Sequence, residues 1–349
     1  MDKKYFKIYS EIKNNIINGA YENGKLPSKR VTANFFGVSV ITVETAYAML
    51  EEEGFITAKE RSGYFVSDGV APEEDLGVEL LPPPLDETVD GGYIDKFEYS
   101  VWFKTVRKVI SEKDKELFAK APAEGCAVLR NAISAYLRRC RNIIAPPERI
   151  IIGSGAEQLY ENAVKILGRD KIFGTENPCY KKIIEVYQGE GVSVCPLEMS
   201  TSGIKESELK SKKFGVLHVT PFSSYPTMVT ADRNKRLSYL EWARANDGYI
   251  IEDDFASEFH PNPLHIKTLY SLSTDDSVIY INTFSKTLSP SMRIGYMVLP
   301  EKLVAVYHEK LGRYSCSVPV LDQYVLAEFI KSGNFERHLN RVRRKLATR

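Results

Sequence analysis

A winged helix-turn-helix followed by an α/β domain with a mostly parallel sheet is the architecture predicted by this 349-residue sequence. Three observations predict it. Ile8, Ile12 and Ile16 recur every four residues near the N-terminus. A tight turn, Gly37-Val38-Ser39, then separates two short helical stretches ahead of a hairpin pattern. From about residue 96, short apolar strands alternate with helical segments, the signature of a parallel sheet covered by helices on both faces.

In chain order, the isoleucine repeat gives a first amphipathic helix. A loop from Gly19 to Pro27 follows, and Ser28 can cap a short helix containing Val31, Phe35 and Phe36. Ser39 can cap the next helix, whose Val43, Tyr47 and Leu50 share one face and which ends near Gly54. Phe55–Ala58 and Tyr64–Val66, joined through Ser62-Gly63, read as the hairpin wing. Residues 68–95 hold nine carboxylates, no Lys or Arg, and Pro82-Pro83-Pro84. Such a stretch cannot bury enough apolar surface to order itself, and its prolines favour an extended spacer. Residues 96–349 carry strands at Arg149–Ile152, Lys171–Phe173, Phe214–Thr220, Tyr249–Glu252, Val278–Asn282 and Ile294–Leu299, with helices such as Ala156–Leu167 and Asp232–Asn246 between them. Domains are therefore expected at 1–67 and 96–349, joined by the linker 68–95.

The bulk composition is ordinary for a globular chain, with 43% hydrophobic and 27% charged residues and a net charge of +1. No apolar run approaches the roughly 20 residues that cross a bilayer. The N-terminus also lacks a signal-peptide core. A cytoplasmic protein with no membrane partner is expected. The five cysteines and five histidines are scattered without metal-ligand spacing, so no metal site is expected.

A recognition helix reads bases through its N-terminal residues, here Val40, Thr42, Glu44 and Thr45 on the exposed face, with Ser39 at the turn. Lys29 and Arg30 at the preceding helix, and Lys59 and Arg61 in the wing, are candidates for phosphate contacts. Residues 1–67 contain nine Lys and Arg against eight Asp and Glu. Phosphate contacts dominate affinity, so one such head should bind DNA weakly and a homodimer is implied. Leu26-Pro27-Ser28-Lys29-Arg30, Phe36-Gly37-Val38-Ser39-Val40-Ile41-Thr42-Val43, Ala46-Tyr47 with Leu50 and Gly54-Phe55, and the wing Gly63-Tyr64-Phe65-Val66 closely resemble the GntR-type winged helix. Where that family usually carries Arg after the turn serine, this chain has Val40.

Three motifs carry the chemistry of the larger part. Asn282-Thr283-Phe284-Ser285-Lys286-Thr287 places a lysine among hydroxyl residues after a strand, with Arg293 seven residues on. A lysine can form a Schiff base with an aldehyde, and hydroxyls with a guanidinium suit phosphate. Asp253 and Asp254 end a strand, where a carboxylate can face a pyridinium nitrogen or, as a pair, a metal or solvent. Gly153-Ser154-Gly155-Ala156-Glu157 turns from a strand into a helix whose first amides can hold phosphate.

In this order, with Glu176-Asn177-Pro178-Cys179-Tyr180 between them, the motifs resemble fold-type I aminotransferases. Joined to a GntR-type head, they resemble the MocR family of regulators over essentially the whole chain. The resemblance implies pyridoxal 5'-phosphate as cofactor. It makes Lys286 the Schiff-base lysine and catalytic residue, and Asp253 the acid on the pyridine nitrogen. Arg293, Thr283 and Ser285 become phosphate-side ligands, Gly155, Ala156 and Glu157 the phosphate-binding helix start, and Tyr180 the aromatic on the ring. Three departures stand out: Phe255 where Tyr is usual, Met228 in place of Gly after Pro226-Thr227, and Tyr225 where aminotransferases often carry Asn.

Phe335, Leu339, Val342 and Leu346 form an apolar stripe near the C-terminus, with Arg337, Arg341, Arg343, Arg344 and Lys345 on the other faces. The family continues into a small domain that carries a carboxylate-binding arginine; that domain is expected to be missing here, so that either this is a fragment or the effector pocket is incomplete, and an exposed stripe would be a stability liability. The basic face reads as solvated rather than as a nucleic-acid site. The expected function is a regulator that binds a double-stranded operator and senses an amino-group compound through the Schiff base on Lys286. An aminotransferase carrying a DNA-binding head, and a DNA-binding regulator with a cofactor-free domain, are the alternatives.

Overall fold

The computed structural model describes residues 4–21, 24–60, 62–67, 97–255, 257–259 and 267–347. They fall into two compact units, divided within the undescribed stretch 68–96, so the linker expected there lies outside the described residues.

The first unit contains α1 (Lys4–Ile17), α2 (Lys29–Phe36), α3 (Val40–Glu52) and a hairpin of β1 (Ile56–Lys59) and β2 (Gly63–Val66). Both expected caps are present. Ser28 Oγ accepts from the Val31 amide at 3.4 Å, and Ser39 Oγ from the Thr42 amide at 3.3 Å. Each satisfies one of the unpaired donors of a helix start. Gly37 turns between α2 and α3 at φ 61°, a left-handed conformation natural to glycine. Ile8, Ile12 and Ile16 of α1 pack on Val43, Ala46, Tyr47 and Leu50 of α3, closing one small core. The Tyr47 hydroxyl reaches Thr32 and the Pro27 carbonyl, pinning α2 to α3. Val31 and Phe35, on the short helix α2, stay exposed.

The second unit is built on a sheet in the order β3-β10-β9-β8-β7-β4-β5-β6. Its strands are β3 (Ile150–Gly153), β4 (Phe173–Asn177), β5 (Val194–Ser200), β6 (Gly203–Ile204), β7 (Val216–Val219), β8 (Tyr249–Asp253), β9 (Val278–Thr283) and β10 (Gly295–Val298). The run from β9 through β8, β7 and β4 to β5 is parallel. β10 runs antiparallel between β9 and β3, and the short β6 lies antiparallel on β5. The expected strand at Lys171–Phe173 begins two residues later. β5 escapes sequence reasoning because Pro196 interrupts its alternation.

Helices α4 (Tyr99–Lys113), α5 (Ala127–Arg141), α12 (Val320–Lys331) and α13 (Asn334–Ala347) accompany one apolar cluster. α6 (Ala156–Leu167), α7 (Lys181–Gly189) and α11 (Glu301–Leu311) accompany a second. α8 (Glu206–Ser211), α9 (Arg233–Ala245) and α10 (Leu269–Leu272) accompany a third. The C-terminal stripe corrects an expectation. Phe335, Leu339 and Val342 are buried, with the Phe335 ring edge-on to Tyr136 and Phe284. Arg341 pairs with Glu98 at 3.0 Å, and Arg343 donates to the Glu258 carbonyl at 2.6 Å. The α13 arginines at these positions therefore serve packing.

Candidate functional site

Ladder pairing aligns the ends of β8, β9, β10 and β3. Asp253 pairs with Ile281, two residues before the end of β9, and Gly295 sits opposite both Thr283 and Gly153. Asp253, Thr283 and the Gly153–Gly155 turn thus gather at the carboxyl ends of the strands, where open α/β sheets bind ligands.

α6 starts at Gly155 without a side-chain cap, at φ 91° and ψ 179°, a conformation nearly exclusive to glycine. A Cβ on Gly155 would lie 2.8 Å from Arg293 Nη2, so the guanidinium rests directly against this turn. Arg293 follows the turn Pro290–Met292 in a left-handed conformation. Its contact with Glu157 is a loose 3.4 Å pair with about half of each side chain in solvent. Uncapped amides and a guanidinium converge there, and that combination suits a phosphate.

Lys286 lies in the turn after β9, with Nζ 4.6 Å from the centre of the Phe255 ring. Phe255 is two residues beyond Asp253, which brings the lysine over the end of β8. Phe255 lacks the hydroxyl of the usual tyrosine but keeps the ring face, which attracts the ammonium. The turn is pinned from below: Leu288 N bonds to the Phe284 carbonyl at 2.8 Å, and His338 Nε2 to the Thr287 carbonyl at 2.7 Å. Thr283 is buried and Ser285 half-buried in the same segment, and Ala156 and Glu157 open α6.

Asp253 and Asp254 separate. Adjacent residues at a strand end point to opposite faces. Asp253 turns toward α6, where the buried Tyr160 hydroxyl bonds to it and His218 Nε2 lies 3.9 Å away. Burial, then the Asp253 charge, pushes the Tyr160 phenol far up, so the phenol keeps its proton and donates. Asp254 turns toward α5. There it pairs with the fully buried Arg141 at 2.7 Å and accepts from Tyr280 at 2.8 Å. The two carboxylates therefore do not form a metal pair. Among the described residues no cluster of three or more His, Cys, Asp or Glu has metal-binding geometry.

Sequence reasoning missed Tyr160 and His218, and gave Glu176 no role of its own. Tyr160 reads as one more core residue of an amphipathic helix. His218 is an isolated histidine in a strand, held by Tyr187 at 2.6 Å, and its Nε2 is buried without a hydrogen-bond partner. Glu176, next to last in β4, accepts from Ser224 at 2.6 Å; burial pushes its carboxyl up to about 8 against that hydrogen bond. Tyr180 stays 49% exposed, its ring edge-on to Tyr225 at 6.3 Å. Met228 occupies φ 57°, the left-handed conformation for which glycine is better suited.

In the first unit, Arg30 is exposed, while Lys29 donates to Glu44 of α3 at 2.6 Å. Lys59 lies 4.8 Å from the centre of the Phe65 ring in the wing. Lys25 lies over the same ring at 5.6 Å because its backbone pairs with Phe65, adding a cation that the linear sequence did not place on the wing. Ser39, Thr42 and Thr45 cluster at the start of α3. Arg61 falls outside the described residues. No single helix among the described residues is long and apolar enough to cross a membrane.

Residues 4–66 match the family model for bacterial regulatory proteins of the gntR family, and residues 96–349 match aminotransferase class I and II. A curated HTH-type transcriptional regulator of Bacillus subtilis is 32% identical, the alignment covering 97% of this chain and 76% of the relative. The probable rhizopine catabolism regulatory protein MocR of Rhizobium meliloti is 27% identical over 98% of this chain and 75% of its own length. The pyridoxine biosynthesis transcriptional regulator PdxR of Corynebacterium glutamicum is 28% identical over 91% and 71%. Among solved structures, an archaeal alanine:glyoxylate aminotransferase superposes with a TM-score of 0.64 at 25% identity, covering 70% of this chain and 62% of that one. An α-aminoadipate aminotransferase from Thermus thermophilus, solved with N-(5'-phosphopyridoxyl)-L-leucine, gives 0.62 at 25% identity, with 72% and 64% covered. This chain thus spans less than two thirds of either aminotransferase.

Proposed function

This chain belongs to the MocR family of regulators, a GntR-type winged helix joined to an aminotransferase-like domain, and on that premise we propose that it is a transcription regulator that binds operator DNA, holds pyridoxal 5'-phosphate and responds to an amino-group compound. One observation carries the cofactor reading. Lys286, Asp253 and the Arg293–Gly155 cradle come from three separate segments that meet at the carboxyl ends of the strands.

The residues present fit the cofactor. Gly155 leaves the Arg293 guanidinium against the start of α6, where a phosphate would meet Arg293, the first amides of α6 and the hydroxyls of Thr283 and Ser285. Asp253 would face the pyridine nitrogen, its orientation fixed by the Tyr160 donor. Lys286 would carry the covalent link, and Tyr180 would lie on the ring. When bound, pyridoxal phosphate supplies an aldehyde carbon open to amines and an electron-drawing ring. An amine would compete with Lys286 for that carbon, and a lysine so displaced would be free to take its place over Phe255, a local change available for signalling. Two weakly charged heads in a homodimer would together hold an operator, and an effector that prefers one state of the dimer shifts the balance.

The test is the visible spectrum of the full chain with added pyridoxal phosphate beside Lys286→Ala. A band that borohydride abolishes and the variant lacks is expected; identical spectra overturn the cofactor assignment. Turnover of an amino donor with a keto acid would replace the purely regulatory reading with that of an aminotransferase carrying a DNA-binding head.

A further inference from the structure

The start of α3 presents an unusual surface for a base-reading helix. Ile41 is 74% exposed and Val40 42%, although large aliphatic side chains gain by burial. Ile41, Thr45 and Ala48 follow one another at helical spacing on one exposed face. The hydroxyls of this region are engaged within the head. Ser39 Oγ and Thr42 Oγ1 lie 2.8 Å apart across the cap, and Thr45 Oγ1 donates back to the Ile41 carbonyl at 3.1 Å. Glu44, the charged residue beside Val40, is held by Lys29. The hydroxyls at the reading end thus bond within the head, while the exposed side chains of Val40 and Ile41 are aliphatic.

A major-groove base edge offers one apolar group, the thymine 5-methyl. The same head carries cations that suit flanking phosphates: Arg30 is exposed on α2, and Lys25 and Lys59 both lie against the ring of the wing residue Phe65. Resting on the DNA-binding reading above, we propose that Val40 and Ile41 are specificity-determining residues that read thymine methyl groups in the major groove, giving the head a preference for T-rich half-sites.

The test uses the full chain. A random duplex pool is enriched for binders, and the enriched sites are remade with deoxyuridine for thymidine, which removes each methyl and keeps every hydrogen-bonding group. Affinity should fall about fourfold for each contacted methyl, the fold-change expected for burying one methyl-sized group. Ile41→Ala and Val40→Ala, at exposed positions that leave the core intact, should bind thymidine and deoxyuridine duplexes alike. Lys59→Ala should weaken all sequences equally and keep the distinction. Enriched sites that bind equally well with deoxyuridine overturn the proposal and leave DNA binding standing. A pool that shows no binding at any salt concentration overturns both.

Discussion

Gly155→Ala tests the cradle at the head of α6. The native φ of 91° with ψ 179° lies in a region open essentially to glycine, so an alanine there costs about 1–3 kcal/mol of stability. The new Cβ would also stand 2.8 Å from Arg293 Nη2 and 3.0 Å from Cζ. That guanidinium ends a flexible side chain that is 53% exposed, so it moves away at little cost to folding. The damage should instead fall on the cofactor. A charged hydrogen bond contributes about 1.5–3 kcal/mol, so moving the guanidinium should weaken pyridoxal phosphate binding roughly tenfold to a hundredfold. Gly168→Ala is the control. Gly168 caps the opposite end of the same helix at φ 99° and ψ 149°, and its new Cβ would press only on the Asp170 side chain. Denaturant unfolding should report similar losses for both variants, and absorbance titration with pyridoxal phosphate should report an affinity loss for Gly155→Ala alone. Equal affinity in the two variants would refute the cradle.

Further outcomes follow from strain, buried charge and titration. Met228→Gly relieves a left-handed backbone worth about 1–2 kcal/mol and gives back about 0.5–1 in chain entropy, so a gain of roughly 0.5 kcal/mol is expected in denaturant melts. Met228→Val, β-branched at the same φ, should lose stability in the same assay. Asp254→Ala leaves Arg141 buried without its carboxylate and should cost about 3–5 kcal/mol, read as a lower denaturant midpoint. Glu176 has its folded value raised to about 8 from the ordinary 4.5, so the folded state holds the proton more tightly. Its stabilising contribution is full below about 4.5 and is lost as pH rises toward about 8, at up to about 1.4 kcal/mol per pH unit. Glu176→Gln should flatten the stability profile across that window; an unchanged slope would mean that the Glu176 carboxyl is already ionised at neutral pH.

Much of the candidate site was legible because its residues sit in short stretches of chain. Lys286 with Arg293, and Gly153 through Glu157, are local patterns, and a strand followed by a glycine turn and a helix is set by neighbouring residues. The caps at Ser28 and Ser39 were readable for the same reason, since an N-cap needs only a hydroxyl three residues before an amide. Asp253 was legible as a carboxylate at a strand end, but the partners that separate it from Asp254 were not. Which face each carboxylate takes depends on the helices packed against β8, and those lie about a hundred residues earlier in the chain.

Sequence alone determined the two architectures, the order of the chemical motifs and the residues departing from the family pattern, Val40, Met228 and Phe255. These depend on periodicity, composition and local turn chemistry, which act over a few residues. Tertiary structure decided the rest. It set β10 antiparallel between β3 and β9, which aligns Gly153, Gly295 and Thr283. It brought Tyr160 and His218 to Asp253, placed Lys286 over Phe255, and buried the α13 stripe that the sequence left without a partner. Each of these contacts joins segments far apart in the chain, and only long-range packing of apolar faces fixes which of them meet.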